Sequence, residues 1–296
     1  MPTLKNSLLK IGVAASLSGF MALATGAAQT AEAQSGRIEA RTDRGVAVGV
    51  AGANGGRAVR GRGCTGVEGG QACASGANVV GPEGVRAGRA SVSEIGDDGA
   101  FSREAGAYAL NDGGEAIRTL ESQINPDGSG QRSVDGDADF ANGFAARDAL
   151  FMVDENGNAT RSGVAAAEGD LGAVSTNGGG SYSQDGGLNY ERASELAASG
   201  EAGEVYADRA TAYDQETGFV FNNSSGSAFS NEDGAVQSES NTSYNREDGY
   251  TSDRYLMATN VEGGMFEADV TYNAQEGADA NATCTNADGE TVACLN

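Results

Sequence analysis

Glycine sets the period of this chain. A glycine in a turn-like context recurs at Gly55, Gly69, Gly84, Gly99, Gly113, Gly128, Gly143, Gly157, Gly172, Gly186, Gly203, Gly218, Gly234, Gly249, Gly263, Gly277 and Gly289, with gaps of 12 to 17 residues, most of them 14 or 15. The preceding residue is Asp, Glu or Asn in fourteen of the seventeen, the exceptions being Leu171, Ala202 and Thr217. Asx–Gly pairs suit tight turns because glycine enters positive φ without a steric penalty. Pro82 in Gly81-Pro-Glu-Gly84 and Pro126 in Asn125-Pro-Asp-Gly128 stand where a type I turn wants φ fixed. A period this short leaves no room for a helical hairpin. The unit is therefore one strand, or two very short ones, plus turns.

Between the glycines the pattern has period two. The second residue after the glycine is Phe101, Ala145, Val174, Val205, Val220 or Val236; the fifth is Glu104, Asp148, Asn177, Asp208, Asn223 or Glu239; the tenth is Val153, Tyr182, Tyr213 or Tyr244. Even positions lean apolar and odd positions polar, which argues for one extended strand per unit. Phe266-Ala268-Val270-Tyr272-Ala274 set against Glu267-Asp269-Thr271-Asn273 is the cleanest case. The fold class is all-β, built of tandem repeats of about 15 residues. An antiparallel meander is the preferred arrangement. It places the tenth residue of one strand near the second of the next, Tyr213 facing Val220 and Val153 facing Ala159. A β-solenoid with two short strands per coil is the alternative, suggested by the mid-unit glycines Gly76, Gly106, Gly136, Gly163, Gly179 and Gly226.

Residues 1–33 read as a secretory signal peptide. Lys5 and Lys10 supply the positive start, Ile11 to Thr25 is apolar and small, and Ala31-Glu32-Ala33 offers a cleavage site. Residues 34–53 then form a lead-in and 54–296 a single β-repeat array. No later stretch is apolar enough to span a bilayer as a helix. Beyond residue 33 every basic residue is Arg, seventeen of them against 41 acids, and the excess of acid is concentrated after residue 165. Such a surface argues against nucleic acid as a partner, since phosphate binding needs clustered cations. Leu, Ile, Val and Phe make up only about 15% of residues 34–296. Composition at that level suggests disorder; the kept register speaks against it, and any buried layer must be thin.

Cys64 and Cys73 flank Glu68-Gly69, and Cys284 and Cys294 flank Gly289. In an exported chain these read as two cross-strand disulfides stapling the end repeats; a zinc site is the alternative. Arg89, Arg103, Arg118, Arg132, Arg147 and Arg161 recur every 14 or 15 residues. In a solenoid they would stack about 4.8 Å apart; in a meander they alternate between the two ends of the sheet. Pairing with nearby turn acids is the plain reading, and a comb for sulfated or carboxylated polysaccharide is the functional one.

Much chemistry is missing. The chain has no His, and none of its Lys lies beyond Lys10, so imidazole dyads, Schiff bases and a P-loop lysine are excluded. Gly61-Arg-Gly63-Cys-Thr-Gly66 fits a dinucleotide fingerprint literally, but no helical pattern follows it. Asp135-Gly-Asp137-Ala-Asp139 and Asp154-Glu-Asn156-Gly-Asn158 resemble the start of calcium loops and then fail at the required Gly and Glu. No cofactor is expected beyond weak calcium binding by acidic turns, and no catalytic residues or defined metal ligands are assigned. The expectation is an exported, non-enzymatic structural or adhesive repeat protein of the cell surface or extracellular matrix, self-assembly included. Its partner is itself or a surface polysaccharide. The alternatives are a secreted carbohydrate- or calcium-binding module and, behind it, an outer-membrane barrel.

Overall fold

The computed structural model describes residues 36–294 except 43, 44, 53, 82, 83, 185–188 and 231. The signal peptide, Pro82 and Gly186 lie outside the described residues. Nineteen β-strands and no helix are found among the described residues. They fall into two units, divided after Ala141. The first holds β1 (Gly36–Thr42), β2 (Gly45–Ala51), β3 (Arg57–Val67), β4 (Gly70–Val80), β5 (Arg86–Gly96), β6 (Phe101–Asn111), β7 (Gly114–Ile124) and β8 (Gly130–Phe140). The second holds β9 (Gly143–Val153), β10 (Ala159–Gly169), β11 (Gly172–Ser183), β12 (Asn189–Gly200), β13 (Gly203–Asp214), β14 (Phe219–Ser230), β15 (Gly234–Asn245), β16 (Gly249–Thr259), β17 (Met265–Asn273), β18 (Gly277–Thr285) and β19 (Thr291–Val292).

Within each unit every strand pairs antiparallel with the next in sequence, so each unit is an up-and-down meander. The expected cross-strand neighbours are partners: Tyr213 opposes Val220 and Val153 opposes Ala159. The solenoid alternative does not hold. Gly76, Gly106, Gly136, Gly163, Gly179 and Gly226 are mid-strand residues, and none is among the glycines with positive φ. Elsewhere in the strands a glycine makes room for a neighbour. At Gly88, for instance, an added Cβ would meet the ring of Tyr108, whose hydroxyl accepts from Asn78 Nδ2 at 2.7 Å.

Two turn designs recur between the strands. In the longer one the first residue's N–H donates to the carbonyl four residues on, and the glycine's N–H donates back. Asn125 N to Ser129 O is 2.8 Å and Gly128 N to Asn125 O is 3.0 Å, and Asp154–Asn158, Asn260–Gly264 and Asn286–Glu290 repeat the pattern. This is a type I turn closed by a left-handed glycine, the three-residue hairpin loop. The shorter design has two residues and a glycine that opens the next strand, as at Gly114, Gly143, Gly172 and Gly203. Of the seventeen glycines picked out in the sequence, fifteen have positive φ; Gly186 is not described, and at 112–113 it is Gly114 rather than Gly113 that has it.

No hydrophobic side chain is buried among the described residues, and only Ser252, 7% exposed, counts as buried at all. Each unit is thus one layer of sheet with two wet faces. Its order rests on backbone ladders and on cross-strand pairs, each contributing about 0.2–1 kcal/mol.

Candidate functional site

Register decides which side chains share a face, because paired residues of adjacent strands project to the same side. In the second unit this sorts the charges completely. Arg147, Arg161, Arg192, Arg209 and Arg254 lie on one face, and no acidic strand residue joins them. The acids of these strands, among them Asp148, Glu168, Glu195, Asp208, Glu239 and Asp269, all lie on the other. The first unit is sorted nearly as well. Arg60, Arg62, Arg89, Arg103, Arg118 and Arg132 share one face; Glu94, Glu104, Glu115, Glu121, Asp135, Asp137 and Asp139 share the other. Arg57 and Arg86 are the exceptions on the acidic side. The one acid among the described strand residues of the Arg side is Glu39, paired with Arg37 at 3.1 Å and Arg41 at 2.5 Å, which hold its carboxyl below the usual range, Arg41 foremost.

Within each unit the periodic arginines divide between rows toward opposite ends of the strands, as a meander requires. Arg89 and Arg118 fall in one row with Ala107 between them, and Arg60 extends that row through Ala77. Arg103 and Arg132 fall in a second row with Ser122 between them. In the second unit Arg147 opposes Ala165, while Arg161 shares a row with Arg192 through Gly180. A small residue on the strand between keeps each pair about 10 Å apart, two strand spacings, which spares direct like-charge contact. All six are exposed, and none makes an ion pair with a described residue. Among the described residues the turn acids do not serve as their partners.

Two further features of the second unit were not singled out from the sequence. On the Arg face, Tyr182, Tyr190, Tyr213, Val220, Tyr244 and Tyr250 oppose one another in an unbroken row across β11 to β16, and Tyr272 adds a tilted ring 5.7 Å from Tyr250. On the acidic face, near the other ends of the strands, an open groove of about 550 Å³ has an alanine floor that includes Ala166, Ala197 and Ala235. Phe144, Tyr206, Phe229 and Met257 line it, with Glu168 and Glu204 beside them.

The middle of the acidic face is a single row: Asp148, Val164, Asn177, Glu195, Asp208, Ser225, Glu239, Tyr255, Asp269 and Asn281. Donors interleave the carboxylates. Asn177 Nδ2 donates to Glu195 at 2.7 Å, and the Ser225 hydroxyl donates to Asp208. The negative field reaches the phenols: desolvation, with Glu195 and Asp208 nearby, pushes Tyr206 up, and desolvation with a hydrogen bond to Glu267 does the same for Tyr255.

The two disulfides are Cys64–Cys73 and Cys284–Cys294. The first joins directly opposed residues of β3 and β4, with Cα atoms 4.0 Å apart, the close approach of a non-hydrogen-bonded pair. The second joins residues offset by two. Cys284 opposes Val292, and Cys294 reaches back from beyond β19 with a Cα separation of 5.3 Å. The four thiols are thus bonded in pairs and do not form a zinc site.

The calcium-loop resemblances resolve into other roles. Asp135, Asp137 and Asp139 are alternate residues of β8 on one face. Asp154 caps its own turn: Oδ1 accepts the N–H of Asn156 at 2.9 Å and of Asn158 at 2.8 Å, and Oδ2 accepts from Asn158 Nδ2 at 2.9 Å. Among the described residues no group of three or more His, Cys, Asp or Glu is placed to hold a metal ion.

These caps carry a pH expectation. The Asn158 amide holds Asp154 below the ordinary carboxylate range, and the Ser129 hydroxyl does so for Asp127. A depressed carboxyl stabilises the fold above its unfolded pKa, about 3.9, and that stability is lost as pH falls through the lower folded value. Acid titration followed by circular dichroism is expected to show the strand signal weakening below about pH 4. In Asp154→Ala that acid-dependent part is expected to shrink.

No protein-family model matches the chain, and neither a curated protein nor a solved structure matches it. The reading of the site accordingly rests on its own chemistry.

Proposed function

We propose that this chain is an exported, non-enzymatic structural protein of the cell surface or extracellular matrix that reaches its stable state by self-association. The observation that carries this reading is the absence of any buried hydrophobic side chain among the described residues. A sheet wet on both faces leaves its apolar side chains in water, Phe229 at 51% exposure and Phe144 at 46% among them. Burying such surface contributes roughly 25 cal/mol per Å², and a second layer is the direct way to bury it. Two disulfides suit an oxidising compartment. No helix among the described residues is long and apolar enough to cross a membrane. A lipid-facing barrel would need one continuous apolar face, and here both faces carry charge.

The test is sedimentation of the oxidised chain lacking residues 1–33 over a concentration series, with circular dichroism alongside. Large species with a β spectrum, growing with concentration, are expected. A β-rich monomer at all concentrations would overturn the reading. It would favour the second one, a carbohydrate-binding module, for which the tyrosine row among unpaired arginines speaks, since aromatic faces stack on sugar rings and guanidinium groups pair with carboxylate or sulfate. Retardation of that monomer in a gel containing polyuronate would then be expected.

A further inference from the structure

We infer that copies of this chain laminate face to face, with the arginine face of one second unit seated on the acidic face of the next. This rests on the self-association proposed above and specifies its interface. The occupant of each face is a second copy because the two faces of the same sheet complement each other in both charge and relief. Arg192, Arg209 and Arg254 stand on a face free of acidic strand residues, and the carboxylate row containing Glu195, Asp208 and Glu239 stands on the reverse. The tyrosine row from Tyr182 to Tyr250 is a ridge of half-exposed rings on the first face. The alanine-floored groove is a trough on the second.

Ridge and trough lie toward opposite ends of the strands, so a copy turned end for end lays its rings into the groove. Its arginines then meet the carboxylates, an arrangement that selects the right partner face because stacking like faces would oppose like charges. The contact is heterologous: the surface used on one copy differs from the surface used on its neighbour. Such a contact propagates as an open stack rather than closing into a dimer. The terminal strands offer less as edges. In the first unit the outer edge of β1 is seven residues carrying Arg37, Glu39 and Arg41, and in the second β18 leaves a similar length beyond the two residues that β19 covers.

The experiment uses a charge variant of the oxidised chain lacking residues 1–33 that carries Arg192→Glu, Arg209→Glu and Arg254→Glu. Its former arginine face then holds three carboxylates against Arg147 and Arg161, so both faces of its second unit are net negative. Under lamination the variant does not assemble alone, but its unchanged acidic face still seats on a wild-type arginine face, so it caps stacks. Sedimentation is expected to show monomer for the variant, with its threshold concentration raised at least about tenfold, equivalent to about 1.4 kcal/mol, and smaller species when a minor fraction of it is mixed into wild type. If the variant alone assembles as the wild type does, assembly runs through edges and the lamination is overturned while self-association stands. If the wild type stays monomeric, the function proposed above fails with it, and binding of that monomer to polyuronate would assign the arginine face to polysaccharide. Fibre diffraction of the wild-type assembly decides the matter should a variant fail to fold. Stacked sheets give a spacing of about 10 Å beside the strand spacing of about 4.8 Å. The strand spacing without the sheet spacing would overturn lamination.

Discussion

Replacing both Cys64 and Cys73 by Ala is expected to lower the stability of the first unit by about 2–3 kcal/mol, the loop-closure value for a cross-link of this span. The two residues are 9 apart in sequence and directly opposed. The number matters more here than in a globular domain. With no buried side chain in the unit's described residues, each strand is kept in place by its ladder and a few cross-strand contacts. Fixing the β3–β4 pair gives β2 on one side and β5 on the other a ready template. Loss of the staple should therefore spread to both neighbours. Urea unfolding is expected to show a lower midpoint with an unchanged slope, and amide exchange is expected to quicken first across β2 to β5. An unaltered midpoint would show that the hairpin is held by its turn and ladder alone.

Gly203→Ala is expected to cost more than an ordinary turn substitution, about 2–3 kcal/mol from backbone strain and collision together. Gly203 opens β13 with φ +148°, and a Cβ built there runs into the carbonyl of Phe229 on β14. Either the residue leaves that conformation or the β13–β14 ladder parts at its end. Gly99→Ala is the matched control. Gly99 also has positive φ, +89°, but nothing lies within 4 Å of its would-be Cβ. Its cost should be near the conformational value alone, about 1 kcal/mol. Equal losses in the two variants would mean that the short turns need glycine only for its dihedral angles.

The strands were legible because the turns were. The recurrent turn glycine, most often after Asp, Asn or Glu, located nearly every reversal, and the length between reversals allowed only one strand. The hairpin β1–β2 was missed and read as lead-in because no Asx–Gly pair marks it; the alternation of Val46, Val48 and Val50 was the available signal. The faces were harder. Counting from each glycine puts Arg103 at an even position and Arg89 at an odd one, so they look unrelated. Yet Arg103 opposes Ser93, and Arg89 is four residues from Ser93 on β5, so the two share a face. The count fails because the connections between strands vary from two to five residues and so shift parity differently. Only the pairing register, followed strand by strand, reveals that Arg and acid take opposite sides. The tyrosine row was visible in part as the tenth residue of three units. Its continuity needed Tyr190 and Tyr250, which stand second in their strands and carry no such number.

The up-and-down connection also has a mechanical side. Each strand holds only its two neighbours in sequence, and its hydrogen bonds lie across the strand. A pull on the ends of a unit loads those bonds one pair at a time, as in opening a zip. Each release frees one strand and one turn, about 14 residues, or close to 48 Å of extended chain. Extension at low force is thus expected to proceed in near-equal steps, with a pause where a disulfide locks its hairpin. A chain so built yields gradually under load and re-forms strand by strand when the load is removed.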